Sequence, residues 1–147
     1  MMLATKVKSN ANKDVRGFML HVAPALGCVA TIFWLGSIHT AINIPQGLFS
    51  KDKANHFVAF GVLTILCVRA FRFEYANLGN KRTVAMSVAA SSLVGALLEV
   101  WQAFLPYRTS ELMDWVADTL GALLAGLAGY LWLRWHAWRL VKRNPAP

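Results

Sequence analysis

Three pairs of polar residues in this sequence stand at helical spacing and carry groups that do chemistry. Asp52 and His56 are four apart, Glu99 and Gln102 three apart, and Asp114 and Asp118 four apart. Residues at those intervals share one face of an α-helix. An imidazole beside carboxylates can take and return a proton near neutral pH. His56, Glu99, Asp114 and Asp118 are therefore the candidate catalytic residues, with Asp52 or Asp114 orienting the imidazole and Asp52 kept as a structural position. Lys53, Gln102 and Arg108 lie beside them and are candidates to bind substrate. The planar fork of an arginine matches phosphate or carboxylate.

Two other readings of the same residues are open. Imidazole with carboxylates also suits zinc, iron or manganese. No His-x-x-x-His or Glu-x-x-His spacing is present, so a metal would rest on His56 alone, and the expectation is no metal and no cofactor. The third reading is architectural, with Lys53, His56 and Arg108 neutralising Glu99, Asp114 and Asp118 inside the fold. Such networks are expensive to bury, and apolar residues of similar volume are often as stable. No nucleophile stands out, since Ser91 and Ser92 lie deep and Thr109 and Ser110 read as plain loop residues.

The elements that position these groups are legible from composition. Of 147 residues 56% are hydrophobic and 15% are charged, against about 25% charged in an ordinary soluble domain. Disorder is excluded by that hydrophobicity, and two cysteines cannot staple a disulfide-rich mini-protein. A bilayer core about 30 Å thick takes about 20 apolar residues per helix. Four runs meet that length: Gly17 to Ile38, Ala54 to Phe71, Thr83 to Leu105 and Trp115 to Leu133. A soluble four-helix bundle needs a charged outer face on each helix, and the first run has none. That run exceeds the roughly 7–15 residues of a signal-peptide core, so it is expected to remain as a helix. The expected fold is all-α: a polytopic membrane protein with four transmembrane helices.

Charge sets the expected orientation. Lys6, Lys8, Lys13 and Arg16, then Arg69, Arg72, Lys81 and Arg82, then Arg134, Arg139, Lys142 and Arg143 fall on one side of the four spans. Lys51, Lys53 and Arg108 fall on the other. Twelve against three, by the positive-inside rule, predicts both termini in the cytoplasm of a multi-pass inner (plasma) membrane protein. Residues 1–16 then form a basic segment, 17–135 the transmembrane domain and 136–147 a basic tail. The net charge of +8 is thus a topology signal and implies no nucleic-acid partner.

Because the spans alternate in direction, the start of the second, the end of the third and the start of the fourth meet at the outer face. Five of the seven acidic residues lie there: Asp52, Glu99, Glu111, Asp114 and Asp118. Glu99 stands seven residues before Pro106, about 10 Å below the helix end at 1.5 Å rise per residue. A carboxylate at that depth faces a bundle interior or a water-filled cavity. Ser87, Ser91 and Gly95 lead to Glu99 every four residues, as Ala122 and Gly126 continue from Asp118. Small residues at that interval allow close helix approach in lipid, so spans three and four are expected to pack together around Gly95. A site at the lipid interface fits a membrane lipid or a lipid-linked envelope precursor. His39 ends span one near this face, while Cys28 and Cys67 in mid-span read as inert hydrophobes.

The order of these motifs resembles the VanZ-like membrane family. Asp52-Lys53-Ala54-Asn55-His56-Phe57 is similar to its D-K-x-x-H-F segment, and Glu99 to Gln102 to its E-x-x-Q element. Pro106-Tyr107-Arg108 is similar to P-x-R, and Glu111, Asp114, Asp118 and Gly121 to E-x-x-D-x-x-x-N/D-x-x-G. The resemblance covers roughly Lys51 to Gly126, half the chain. It implies a small polytopic protein with a cell-envelope role bearing on glycopeptide (teicoplanin) susceptibility, and no settled reaction. It adds Gly121 to the structural positions. Asn often stands at the position of Asp118 in the family, which favours a polar role there over an obligatory metal-ligand carboxylate. The alternatives are an intramembrane hydrolase or transferase on a lipid-linked substrate, and a structural membrane subunit.

Overall fold

The computed structural model describes residues 15–38 and 51–143, with Lys51 and Val141 as backbone alone. Expectations for the first 14 residues, His39 and the last four residues lie outside these. The described residues form helices α1 (Val15–His21), α2 (Ala23–Ser37), α3 (Lys51–Glu74), α4 (Asn80–Ala103) and α5 (Leu112–Arg143), with no strand among them. Helices α3, α4 and α5 are each long and apolar enough to cross a membrane, and α1 with α2 makes a fourth span if the pair is counted as one.

The first span is not one straight helix. It bends by 43° between α1 and α2. Pro24 sits in the first turn of α2, where its missing N–H costs nothing, but its ring would collide with the carbonyl four residues earlier in a continuous helix. The last helix is longer than its apolar run. Residues 136–143, expected as tail, continue α5. Arg134 lies over Tyr130 at 5.9 Å, Arg139 over Trp135 at 3.9 Å and Lys142 over Trp138 at 4.2 Å. Each pair is four apart, so cation–π contacts carry the helix past the apolar stretch.

The interior holds a small apolar core of Ile32, Phe60, Leu63 and Leu98, against which Cys28 and Cys67 pack as free thiols. The inner faces are otherwise lined by small polar residues. Thr64, Thr83, Ser87 and Ser91 are buried. Thr64 Oγ1 and Ser87 Oγ donate to the carbonyls of Phe60 and Thr83, four residues back, at 2.9 and 2.8 Å. Bonded in this way they need no partner on another helix, and the helices can close in. The large apolar side chains face outward instead: Leu93, Leu97, Leu124, Leu127 and Leu131 are all exposed. An apolar exterior around a small-residue interior is the arrangement of a bundle surrounded by lipid.

Helices α4 and α5 do pack together, at Gly95 against Asp118 and at Gly126 against Val88. The most extensive pairing, however, is α3 with α5. The closest crossing puts Gly121 against the backbone carbonyl of Phe57, with Gly61 facing the Gly121 carbonyl. Backbone meets backbone there because neither glycine carries a Cβ.

The two ends of the bundle differ in charge. At one end Arg69 Nε donates to His21 Nδ1 at 3.1 Å and Arg72 donates to Asn80 at 2.9 Å. Lys81, Arg82 and the basic end of α5 lie at the same end. The acidic residues gather at the opposite one.

Candidate functional site

The acidic end is built from four helix termini. The end of α2 brings Gly36 and Ser37, the start of α3 brings Asp52, Lys53 and His56, the end of α4 brings Glu99 and Gln102, and the start of α5 brings Asp114 and Asp118. Alternation of the helices dictates this meeting, as the sequence predicts.

His56 and Asp118 form its centre. His56 Nδ1 lies 2.9 Å from Asp118 Oδ1, and the Asp118 side chain is completely buried. The second oxygen of that carboxylate has no hydrogen-bond partner. It points at Gly95, where a Cβ would stand 2.7 Å from it. Gly95 thus makes the space that the carboxylate occupies.

Glu99 approaches from α4 and is 7% exposed. Its Oε2 accepts hydrogen bonds from Ser110 Oγ at 3.0 Å and from the Glu111 backbone N–H at 2.9 Å. This places a carboxylate at the N-terminal end of α5, where the unpaired amides and the helix dipole favour negative charge. Its Oε1 is buried without a hydrogen-bond partner. One ligand atom each from His56, Glu99 and Asp118 lie within 4.8 Å of one another, and the same holds for Asp52, His56 and Asp114.

The cations expected to bind substrate are otherwise engaged. Lys53 Nζ stands 2.9 Å from Glu111 Oε2 and 3.2 Å from Asp114 Oδ1. Arg108 turns away from the carboxylates. Its Nε donates to the Gly36 carbonyl at 3.0 Å and a terminal nitrogen to the Leu35 carbonyl at 3.3 Å. Gln102 Nε2 also donates to the Gly36 carbonyl, at 3.3 Å. Trp101 and Tyr107 donate to Ser37 at 2.9 and 3.0 Å. These side chains cap the carbonyl end of α2, which has no basic residue in its own last turn. Replacing Arg108 with alanine should therefore loosen α2 from the bundle by about 1.5–3 kcal/mol, the range for hydrogen bonds to a charged group. Thermal unfolding in detergent reads this, and an unchanged melting temperature would contradict it.

The sequence points to one end of the bundle for Asp52, His56, Glu99, Asp114 and Asp118, and the structure gathers them there in two sets that share His56, with Gly95 and Gly121 at close helix contacts. Sequence reasoning passes over Ser110, whose hydroxyl holds Glu99. No spacing rule marks a loop serine that bonds a residue on the preceding helix. It passes over Ser92 and Thr119 as well. Their hydroxyls meet at 2.8 Å, and Trp115 Nε1 donates to the Ser92 carbonyl at 3.0 Å, pinning α5 to α4 beside the site.

The chain is 36% identical over 93 residues to an uncharacterized protein, C11E3.10, of Schizosaccharomyces pombe, a match over 63% of this chain and 52% of the yeast protein. It thus spans about half the length of that relative. No solved structure matches it. The VanZ/LLP1 family model matches residues 10–134, which include every helix terminus that builds the site and most of the described helices. The chain belongs to the VanZ/LLP1 family.

Proposed function

We propose that this is a multi-pass plasma-membrane protein that binds and processes the polar headgroup of a cell-envelope amphiphile. The observation that carries the reading is the pairing of the part-buried His56 with the buried Asp118, with Glu99 beside them, at the end of a bundle whose exterior is apolar. An amphiphile moving in the surrounding lipid reaches such a site with its headgroup at helix-end depth and its chains against the exposed leucines. His56, held by Asp118, serves as acid or base, and Glu99 as the second proton carrier. Asp52, Asp114 and Glu111 make the surroundings acidic, with Lys53 between the last two. The basic opposite end faces the cytoplasm, which puts the site at the outer surface.

Membership of the VanZ/LLP1 family supports an envelope role that bears on glycopeptide susceptibility. A hydrolase or transferase reaction on a lipid-linked headgroup fits the acid–base pair. The capping of α2 by Arg108, Gln102 and Tyr107 and the ion pairs of Lys53 favour a second reading, a structural membrane subunit whose polar cluster only fixes the bundle.

Alanine at His56 separates the two readings. His56 covers the fully buried Asp118 carboxylate, so the abundance of folded protein is measured beside the phenotype, and His56→Gln, which keeps a hydrogen-bond donor for Asp118, is compared where alanine lowers that abundance. In a strain lacking the native copy, the variant should fail to restore wild-type teicoplanin susceptibility. Full restoration by His56→Ala would remove the acid–base reading.

A further inference from the structure

We infer that His56, Glu99 and Asp118 together bind a divalent transition-metal ion. The inference rests on the functional reading of the same site and names the cation that would meet an anionic headgroup there.

Two buried carboxylates stand side by side, and each retains an oxygen with no hydrogen-bond partner, Glu99 Oε1 and Asp118 Oδ2. A buried carboxylate oxygen without a partner is costly. Lys53 is held by Glu111 and Asp114, and Arg108 by the carbonyls of Gly36 and Leu35. His56 faces Asp118 and offers at most one positive charge to two carboxylates, and a divalent cation in place of the shared proton balances both.

The donor set and its spacing fit such an ion. Ligands at about 2.0–2.2 Å from a common ion in a tetrahedral set stand about 3.3–3.6 Å apart. The three groups lie within 4.8 Å of one another, so the side chains draw in by up to about an ångström to close the set. One imidazole with two carboxylates suits zinc or manganese and is foreign to the all-oxygen sites of calcium. Supporting contacts are in place. Ser110 Oγ and the Glu111 N–H orient Glu99, and the absence of a side chain at Gly95 leaves room for Asp118. Outer contacts of this type hold ligands in register. Entry of the ion replaces the proton shared by His56 Nδ1 and Asp118 Oδ1, and that proton leaves to solvent. Three protein ligands leave open positions for water or a headgroup oxygen.

The alternative set, Asp52, His56 and Asp114, shares the histidine. It is the weaker set, because Asp114 is already paired with Lys53 and Asp52 is exposed. The two sets part on substitution.

The test is equilibrium dialysis of the full-length protein in detergent against Zn2+ and against Mn2+, with metal quantified per folded chain. The expected result is one equivalent of at least one of the two ions, bound on the order of 100-fold more weakly by Glu99→Gln and by Asp118→Asn. Asp52→Asn should bind within about twofold of wild type. Melting temperature should rise on adding the ion to wild type and stay fixed in Glu99→Gln. If Asp118→Asn does not fold, wild type and Glu99→Gln decide the matter. Folded wild type that binds neither ion stoichiometrically overturns the inference, as does a Glu99→Gln protein of wild-type affinity. Loss of binding in Asp52→Asn with retention in Glu99→Gln also overturns it. Ion binding without any envelope phenotype would support this inference while removing the headgroup reading; a protein that binds no ion yet restores the phenotype would do the reverse.

Discussion

Replacing Gly121 with alanine is expected to separate α3 from α5 and to unfold a large fraction of the protein on mild heating. A Cβ at this position would meet the carbonyl oxygen and carbon of Phe57. Both are backbone atoms in the middle of a helix, so no rotamer change relieves the collision. Extra volume in a packed interior costs about 1–3 kcal/mol, occasionally more, and a clash with backbone belongs at the upper end. The damage reaches the site because Phe57 follows His56, and Gly121 lies three residues from Asp118 on the same helix. Gly129 is the internal control. It is also on α5, and a Cβ there meets nothing within 4 Å. Gly129→Ala should be neutral or stabilise by up to about 1 kcal/mol, the difference in helix propensity. Thermal unfolding of the two variants in the same detergent gives the comparison. Equal melting temperatures would show that α3 and α5 do not cross where the structure places them.

Lys53→Met should be strongly destabilising. Lys53 is 12% exposed at its side chain and faces Asp114, which is 6% exposed, and Glu111, which is 31% exposed. Removing one partner of a buried ion pair leaves an uncompensated charge and costs about 3–5 kcal/mol. Asp114 carries most of that penalty, since Glu111 can turn toward water. The double variant Lys53→Met with Asp114→Leu should recover most of the loss, because an apolar pair of similar volume is often as stable as the ion pair it replaces. Denaturant or thermal unfolding of the single and double variants measures the coupling. A single variant as stable as wild type would mean that Lys53 is hydrated and does not fasten α3 to α5.

The helices and their shared end were legible because they follow from one-dimensional signals. Apolar runs of bilayer length mark the spans, and strict alternation then brings Asp52, Glu99 and Asp118 to the same end. Helical spacing adds which residues share a face. What remained hidden depends on contacts between distant segments. The α3–α5 crossing uses Gly61 and Gly121, 60 residues apart; Gly121 stands in a small-residue stripe with Ala117, Ala125 and Gly129, but the stripe does not say which helix it meets. By charge type Arg108 reads as an anion-binding residue. Its actual target, the carbonyl end of α2, depends on the path of the chain between α4 and α5, which no periodicity encodes. The bend before Pro24 was present in the sequence as a proline, but an unbroken apolar run concealed it. The extension of α5 past its apolar stretch comes from aromatic and basic residues four apart, a pattern that also reads as an interfacial belt.

Site and scaffold make different demands on Asp118. A scaffold needs a group of its size that can bond His56, and asparagine supplies one. A site needs the carboxylate charge. The most direct measurement is therefore the polar-lipid profile of a deletion strain complemented with wild type or with Asp118→Asn, each at matched abundance of folded protein. The predicted result is an altered headgroup species in the deletion strain that wild type restores and Asp118→Asn leaves altered. An unchanged profile in the deletion strain, or full restoration by Asp118→Asn, would contradict the account.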